Sequence, residues 1–224
     1  TTPDPLWAGT PGARTFVRSY LKVDGTYRPV VGDFDGNGVD DVFWYGPGTL
    51  PDQIQWGTAP GSFAYTLTPA AISGEYTPVA ADLNGDGADD ITWYGYGPMP
   101  DALWAGTPGL QRFAARSLTV NGRYHPFAGD FDGNGVDDVF WYGLGTGVDR
   151  IQWGTAPGSW ANESPEVTVN GMYLPLVGDG NGDGADDITW YGVGAAKDGQ
   201  WVFTPGSRTF TSVPAAIAGT FRPF

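Results

Sequence analysis

The chain has 224 residues, no cysteine, 36 glycines and 19 prolines, and its formal net charge is −14. So many glycines and prolines exclude a mainly helical fold and favour short strands joined by tight turns. No apolar run approaches the roughly 20 residues of a membrane span. The 11 lysines and arginines are scattered singly, which argues against a nucleic-acid partner.

The chain opens with two predicted strands, around residues 4–12 and 16–20, and then begins a longer unit. We divide that unit into predicted strands A to D, which cover Tyr27–Asp33, Asp41–Tyr45, about Gln53–Trp56 and about Ser62–Thr68. Gly- and Pro-rich turns precede strands C and D. Strand B is apolar on both faces, so we expect it to lie between two layers.

The turn between strands A and B is an acidic loop. Oxygen ligands stand at loop positions 1, 3, 5, 7 (through the main chain) and 9, which are Asp33, Asp35, Asn37, Val39 and Asp41. An all-oxygen set in a glycine-containing loop favours calcium over zinc or copper. Position 12 is Trp44 where an EF-hand has a bidentate glutamate, so this loop is not an EF-hand. The alternative is a plain Asp-Gly or Asn-Gly hairpin turn that holds no metal.

The loop occurs four times, and the first aspartates of successive copies are 49, 48 and 49 residues apart. The later ligand sets are Asp82, Asn84, Asp86, Ala88 and Asp90; Asp130, Asp132, Asn134, Val136 and Asp138; and Asp179, Asn181, Asp183, Ala185 and Asp187. Such a period indicates a solenoid, propeller or array. The four full units lie near residues 27–71, 76–120, 124–169 and 173–213. Units one and three share a sequence, as do units two and four, which indicates a duplicated two-unit block.

Four such loops, each leading into a hydrophobic strand, resemble the FG-GAP/VCBS repeat family, which includes the propeller of integrin α-subunits. The resemblance implies a β-propeller whose A–B loops each hold a calcium ion, about four in all. We therefore predict one all-β domain over residues 1–224, a propeller of about five four-stranded blades with one blade completed by both chain ends. The alternative is a fragment of a larger propeller. Gly180 replaces an apolar residue of the other loops, and we expect it to loosen the fourth loop.

Two recurring residue types outside the loops are candidates for ligand binding. The tryptophans of strand C are Trp7, Trp56, Trp104, Trp153 and Trp201, and the aspartates that precede them include Asp52, Asp101 and Asp149. Packing between blades is the alternative role for the rings, and turn capping is the favoured role for the carboxylates. An exposed Trp–Asp pair would suit a sugar, with stacking from the ring and hydrogen bonds from the carboxylate.

Catalytic residues are scarce, since the chain has one histidine and no cysteine. We predict a secreted, calcium-binding, non-catalytic module whose partner is a carbohydrate or cell-surface glycan. Secretion is expected because calcium is abundant outside cells. A protein-binding or structural module of a larger secreted protein is the main alternative, and a polysaccharide-degrading enzyme is a further one.

Overall fold

The computed structural model of the chain describes residues 4–9, 12–21, 23–58, 65–155, 162–193 and 196–217. Every regular element in these ranges is a β-strand, which confirms the all-β prediction. No helix that could span a membrane occurs in these ranges. The strands are β1 (Asp4–Gly9), β2 (Phe16–Leu21), β3 (Arg28–Gly32), β4 (Asp41–Tyr45), β5 (Asp52–Gly57), β6 (Tyr65–Ala70), β7 (Tyr76–Ala81), β8 (Asp90–Gly95), β9 (Asp101–Gly106), β10 (Phe113–Leu118), β11 (His125–Gly129), β12 (Asp138–Tyr142), β13 (Asp149–Trp153), β14 (Asn162–Val167), β15 (Tyr173–Gly178), β16 (Asp187–Gly192), β17 (Gly199–Phe203) and β18 (Phe210–Pro214).

The strands form four antiparallel four-stranded sheets in chain order. Sheet 1 is β3–β6, sheet 2 is β7–β10, sheet 3 is β11–β14 and sheet 4 is β15–β18, and within each sheet neighbours in sequence are neighbours in space. The predicted four-stranded unit is therefore confirmed. Strand B lies where predicted, at Asp41–Tyr45. Strand D of sheet 1 ends at Ala70, two residues later than expected, and residues 62–64 of the predicted strand lie outside the described residues.

The ring closure predicted from the chain ends is not seen. Strands β1 and β2 pair with each other as a separate two-stranded sheet and, among the described strands, with no other. The predicted fragment of strand A at 220–224 lies outside the described residues. The observed architecture is thus a row of sheets, and a closed propeller remains a prediction.

Neighbouring sheets pack face to face through three hydrophobic clusters. Phe43 and Tyr45 of sheet 1 meet Trp93 of sheet 2 with ring centroids 5.0 and 5.2 Å apart. Phe140 and Trp190 repeat this contact between sheets 3 and 4, at 5.4 Å. The cluster between sheets 2 and 3 is smaller and consists of Ala81, Leu83, Tyr94, Leu103, Val139 and Trp141. As expected, strand B of sheets 2 and 3 is buried along its whole length.

The strand-B tyrosine ties each sheet to the chain that enters the next one. The Tyr45 hydroxyl donates to the carbonyl of Gly74 at 2.7 Å and accepts from the amide of Tyr76 at 2.8 Å. Tyr94 and Tyr142 make the equivalent bonds in sheets 2 and 3. These buried polar groups are satisfied, so the connection between sheets is fixed by specific bonds as well as by packing.

Candidate calcium loops and inter-sheet clefts

The first acidic loop is shaped by its own backbone amides. The Asp33 carboxylate accepts from the amides of Asn37 and Gly38 at 3.0 and 2.7 Å. Gly38 has a φ of 82°, a conformation that side chains resist. The Asp41 carboxylate accepts from Phe34 N in the same loop, at 2.9 Å, and from Gly57 N at the end of strand C, at 2.7 Å. These hydrogen bonds within the protein hold the loop closed by themselves.

Three carboxylates converge in loop 1 and again in loop 3. Oxygens of Asp33, Asp35 and Asp41 lie within 4.8 Å of one another, and so do those of Asp130, Asp132 and Asp138. Asp35 is buried, at 5 % exposed, and its Oδ1 atom has no hydrogen-bond partner among the described residues. The same holds for Asp132. Crowded carboxylates repel each other, and a buried oxygen without a partner is costly. Both observations fit a calcium ion, which takes six to eight oxygen ligands.

Burial also opposes charge on the carboxylates that close loops 1, 2 and 3. It raises the pKa of Asp41 to about 7 and the pKa of both Asp90 and Asp138 to about 8. Neighbouring aspartates push these pKa values in the same direction. A bound divalent cation supplies the positive charge that favours the ionised form of such groups.

Loop 2 is arranged differently, because asparagine occupies position 3 and aspartate position 5. The Asn84 amide donates to both oxygens of Asp90 at 3.2 Å, and Asp86 accepts from Ala88 N at 3.0 Å. Asn84 Oδ1 is buried without a hydrogen-bond partner in the described part of the chain. Among the described residues, three carboxylates converge in loop 1 and in loop 3 but not in loop 2 or loop 4. Four bound calcium ions therefore stay a prediction.

Loop 4 departs from the others at the residue that the sequence singled out. In loop 1, the amide of Phe34 donates to Asp41, whereas in loop 4 the Oδ2 atom of Asp187 is buried without a partner among the described residues. Gly180 stands at the Phe34 position, and it and the side chains of Asp179, Asn181 and Asp183 are exposed. The missing apolar residue leaves this loop without the buried anchor of the other copies.

One residue of the loops was missed by sequence reasoning, namely the aspartate at position 8. Asp89 Oδ2 accepts from the amide of Asp33 in the preceding loop at 2.8 Å, and Asp89 N donates to Asp33 O at 2.8 Å. Asp137 binds Asp82 in the same way, and Asp186 binds Asp130. The paired aspartates at positions 8 and 9 were the available signal. Position 9 belongs to its own loop, and position 8 joins that loop to its neighbour.

The strand-C tryptophans do not share one face. Trp56 and Trp153 follow their aspartate by four residues, whereas Trp7, Trp104 and Trp201 follow theirs by three. An offset of one residue along a strand turns a side chain to the other face. Trp56 and Trp153 are buried, at 1 % and 4 % exposed. A sugar cannot stack on these two rings in this structure, so they are core residues.

The other three tryptophans retain accessible surface. Trp104 and Trp201 are half-buried, and Trp7 is 58 % exposed. The two rings of sheets 2 and 4 lie against Phe43 and Phe140 of the preceding sheets at 5.9 and 6.0 Å. Their shorter ring contacts are within their own sheets, between Trp104 and Trp93 at 5.4 Å and between Trp201 and Phe210 at 4.0 Å. Both rings therefore contribute to packing within a sheet and between sheets, and a role in ligand binding stays a prediction.

The recurring aspartates that precede these tryptophans are bound by backbone amides. Asp52 accepts from Gly46 N and Ile72 N, both at 2.7 Å. Asp101 and Asp149 accept from the equivalent pairs of amides. All three are buried, at 7 % exposed or less. Their geometry is that of turn-capping residues, and the structure does not place them where a ligand would find a carboxylate.

A cleft of about 320 Å³ lies between sheets 2 and 3. At its base are Thr92, which stands at the position of Phe43, and Gln152, which stands at the position of Trp104. Both changes replace a ring by a smaller group, and the volume that is packed between sheets 1 and 2 stays open here. The walls are Leu83, Leu103, Leu118, Val139, Trp141, Arg116 and Ser117. Gln152 Oε1 accepts from Trp141 Nε1 at 3.0 Å, and the indole also packs against the rings of Tyr94 and Tyr124 at 5.6 and 5.9 Å.

Two further concave surfaces lie close by. A cavity of about 250 Å³ adjoins the cleft, shares Leu118, Trp141 and Gln152 with it, and adds Asn121 and Arg150. Between sheets 1 and 2, a groove of about 320 Å³ lies over Trp104 and Phe113. That groove does not reach strand B, because Phe43 and Trp93 occupy the space beneath it.

The sequence of the first two loops matches a known repeat model over residues 33–93, described as an FG-GAP-like repeat. Residues 33–93 carry an FG-GAP-like repeat. This confirms the resemblance inferred from the acidic loops. No curated protein sequence matches the chain.

Among solved structures, the chain is similar to a lectin from Agrocybe aegerita, whose structure was described as the basis of specific recognition of non-reducing terminal N-acetylglucosamine. The TM-score is 0.62 at 18 % identity, and the match covers 96 % of this chain. It spans 62 % of the lectin chain, so the likeness concerns part of that protein. At this identity the similarity shows a shared fold.

Proposed function

We propose that the chain is a calcium-binding β-propeller module that binds carbohydrate outside the cell and catalyses no reaction. The observation that carries the proposal is the cleft between sheets 2 and 3, where a ring is replaced by Thr92 and another by Gln152. Its volume is within the range of small-molecule sites, about 300 to 1,000 Å³. The fold is shared with a lectin, which supports the same class of function.

The chemistry of the cleft suits a sugar. Leu103, Leu118 and Val139 offer apolar surface for the C–H faces of a pyranose ring, and Arg116, Ser117 and Gln152 offer polar groups for its hydroxyls. Leu118, Trp141 and Gln152 line both the cleft and the adjoining cavity, so the two together offer room for a disaccharide.

Calcium has a supporting role in this proposal. Leu83 lines the cleft and belongs to loop 2, where its amide donates to Asp90 at 3.1 Å. The residues that would hold the ion in loop 2 are Asp82, Asn84, Asp86 and Asp90, with the carbonyl of Ala88. When bound, the ion would neutralise their charge and fix the loop. An ordered loop 2 keeps Leu83 in the wall of the cleft. Extracellular calcium-binding modules have dissociation constants for calcium of about 10⁻⁴ to 10⁻³ M. Such sites are filled only where calcium is abundant, so the proposal includes a location outside the cell.

The test is a glycan array with calcium present, including glycans that end in N-acetylglucosamine, with wild type and a cleft-filled variant. The variant Thr92→Phe/Gln152→Trp carries the side chains found at the equivalent places between sheets 1 and 2. It is expected to keep the fold and lose all glycan binding. The control Thr189→Phe makes the same change at the equivalent position of sheet 4 and should bind as wild type does.

The outcomes separate the parts of the proposal. Wild type that binds no glycan would overturn carbohydrate recognition in favour of a protein partner. Binding that survives in the filled variant but is lost in Trp104→Ala would move the site to the groove between sheets 1 and 2. Binding that is unchanged by chelation would remove the role given to loop 2.

A further inference from the structure

Loops 1 and 3 are each held by a turn of the following sheet, and the two turns differ at one residue. The turn between β9 and β10 runs over residues 107–112, and the amide of Gly109 donates to Asp35 O at 2.6 Å. The turn between β17 and β18 runs over residues 204–209, and the amide of Gly206 donates to Asp132 O at 2.7 Å. Each turn thus binds the main chain of the aspartate at loop position 3.

The fifth residue of each turn also reaches the carboxylate of that aspartate. In loop 1, the neutral side chain of Gln111 forms a hydrogen bond with Asp35. In loop 3, Arg208 Nε donates to Asp132 Oδ2 at 3.1 Å, as part of an ion pair. The guanidinium also lies 5.3 Å from the ring centroid of Trp153, so it is held on two sides. The position that carries an amide beside loop 1 therefore carries a full positive charge beside loop 3.

The second oxygen of each aspartate faces the converging carboxylates. Asp35 and Asp132 are both 5 % exposed, and in each the Oδ1 atom is buried without a partner among the described residues. One oxygen is thus bound to the neighbouring sheet and the other is left for a cation. Groups that bind the far side of a metal ligand tune the metal affinity, and their mutation typically changes it by about 10- to 100-fold.

We propose that residues 111 and 208 set the calcium affinities of loops 1 and 3, and that Arg208 makes loop 3 the weaker of the two. The guanidinium withdraws negative charge from Asp132 and repels a second cation at the same carboxylate. Gln111 orients Asp35 without adding charge. The inference rests on the calcium binding proposed above and goes beyond it by making these two loops unequal.

Calorimetric titration of calcium into metal-free protein tests the proposal at fixed ionic strength, with circular dichroism to confirm the fold. Arg208→Gln should tighten one site by about tenfold, and Gln111→Arg should weaken one site by about tenfold. The exchange variant Gln111→Arg/Arg208→Gln should restore a wild-type isotherm, because the strong and weak loops trade places. Arg208→Lys keeps the charge and should leave the weak site weak.

Two further variants, each with one loop disabled, show which loop is responsible for the change in calcium affinity. In Asp132→Asn, the change Arg208→Gln should alter no remaining calcium constant, whereas in Asp35→Asn it should still tighten one site. If Arg208→Gln leaves all constants of the otherwise wild-type protein unchanged, or weakens one, the role of Arg208 is wrong although calcium binding stands. Wild type that takes up no calcium at all would overturn both the binding and this inference.

Discussion

The boundary between sheets 1 and 2 and the boundary between sheets 2 and 3 share a backbone arrangement and differ in what fills them. At the first, Phe43 packs against Trp93 and Trp104 at 5.0 and 5.9 Å. At the second, Thr92 and Gln152 take the places of Phe43 and Trp104, and a cleft of about 320 Å³ opens. Two substitutions in a repeat therefore convert a core into a candidate binding site without altering the strands.

What stays constant across the two boundaries teaches as much as what changes. The position-8 aspartate binds the preceding loop at both, through Asp89 at the first and Asp137 at the second. The strand-B tyrosine also makes the same pair of bonds at both, through Tyr45 and Tyr94. Hydrogen bonds thus keep the sheets in place, which leaves the side chains between them free to differ.

The largest effect is expected from truncating a ring at the filled boundary. Phe43→Ala should lower the free energy of unfolding by about 3 to 5 kcal/mol, since it removes a fully buried ring and leaves a cavity. Thr92→Ala, at the same position of the open boundary, should lower it by about 1 kcal/mol or less, because the side chain already borders a cleft. Denaturant unfolding measures both. Equal losses would mean that the two boundaries are packed alike.

A smaller and equal effect is expected from the feature that both boundaries share. Asp89→Ala and Asp137→Ala should each lower the free energy of unfolding by about 1 kcal/mol, because each leaves a backbone amide of the preceding loop without its acceptor. Asp40→Ala is the matched control, since Asp40 holds position 8 of loop 1 and is exposed. A loss in the control as large as in the other two would contradict this account of the position-8 residue.

A third effect concerns pH and acts on loops beside both boundaries. Burial raises the pKa of Asp41 to about 7 and that of Asp90 to about 8 in the folded chain, above the ordinary value of 3.8. The folded state therefore favours their protonated forms, and this contribution to stability is fully present below pH 3.8 and is lost as pH rises through 7 to 8. Metal-free protein should melt at a lower temperature at pH 9 than at pH 5.

Added calcium is the control for the pH series. The ion would stabilise the ionised carboxylates, so the melting temperature should be nearly constant from pH 6 to pH 9 when calcium is saturating. A metal-free melting temperature that rises over this range would show that the buried carboxylates are ionised in the folded chain at low pH.

The sequence predicted the strands and loops well because both depend on local chemistry. Strand B was predicted correctly at Asp41–Tyr45, since a short apolar run bounded by Asp and Gly is typical of a buried strand. The burial of Trp56 was not predicted, although the sequence carried the signal for it. Trp56 follows its aspartate by four residues and Trp104 by three, and an offset of one residue places two side chains on opposite faces of a strand. The cleft could not be predicted either, since it depends on which side chains meet across two sheets.

The contacts between sheets explain a further miss. Asp89 was given no role in the sequence analysis, because its hydrogen-bond partner Asp33 lies 56 residues away in the preceding loop. The double repeat in the sequence did indicate two kinds of unit, and the difference between Phe43 and Thr92 was visible in it. The sequence could not indicate that Thr92 of sheet 2 and Gln152 of sheet 3 meet at the same boundary.

The edge-to-face indole pairs of sheets 2 and 4 have an optical consequence. Trp93 and Trp104 lie 5.4 Å apart at 70°, and Trp190 and Trp201 lie 5.2 Å apart at 71°. Indoles this close, with their planes crossed, couple their electronic transitions and produce a paired positive and negative band in circular dichroism. Trp141 has Gln152 beside it instead of a second indole. Sheets 2 and 4 therefore carry a built-in chromophore pair, and its signal would report the loosening of these sheets separately from that of sheet 3.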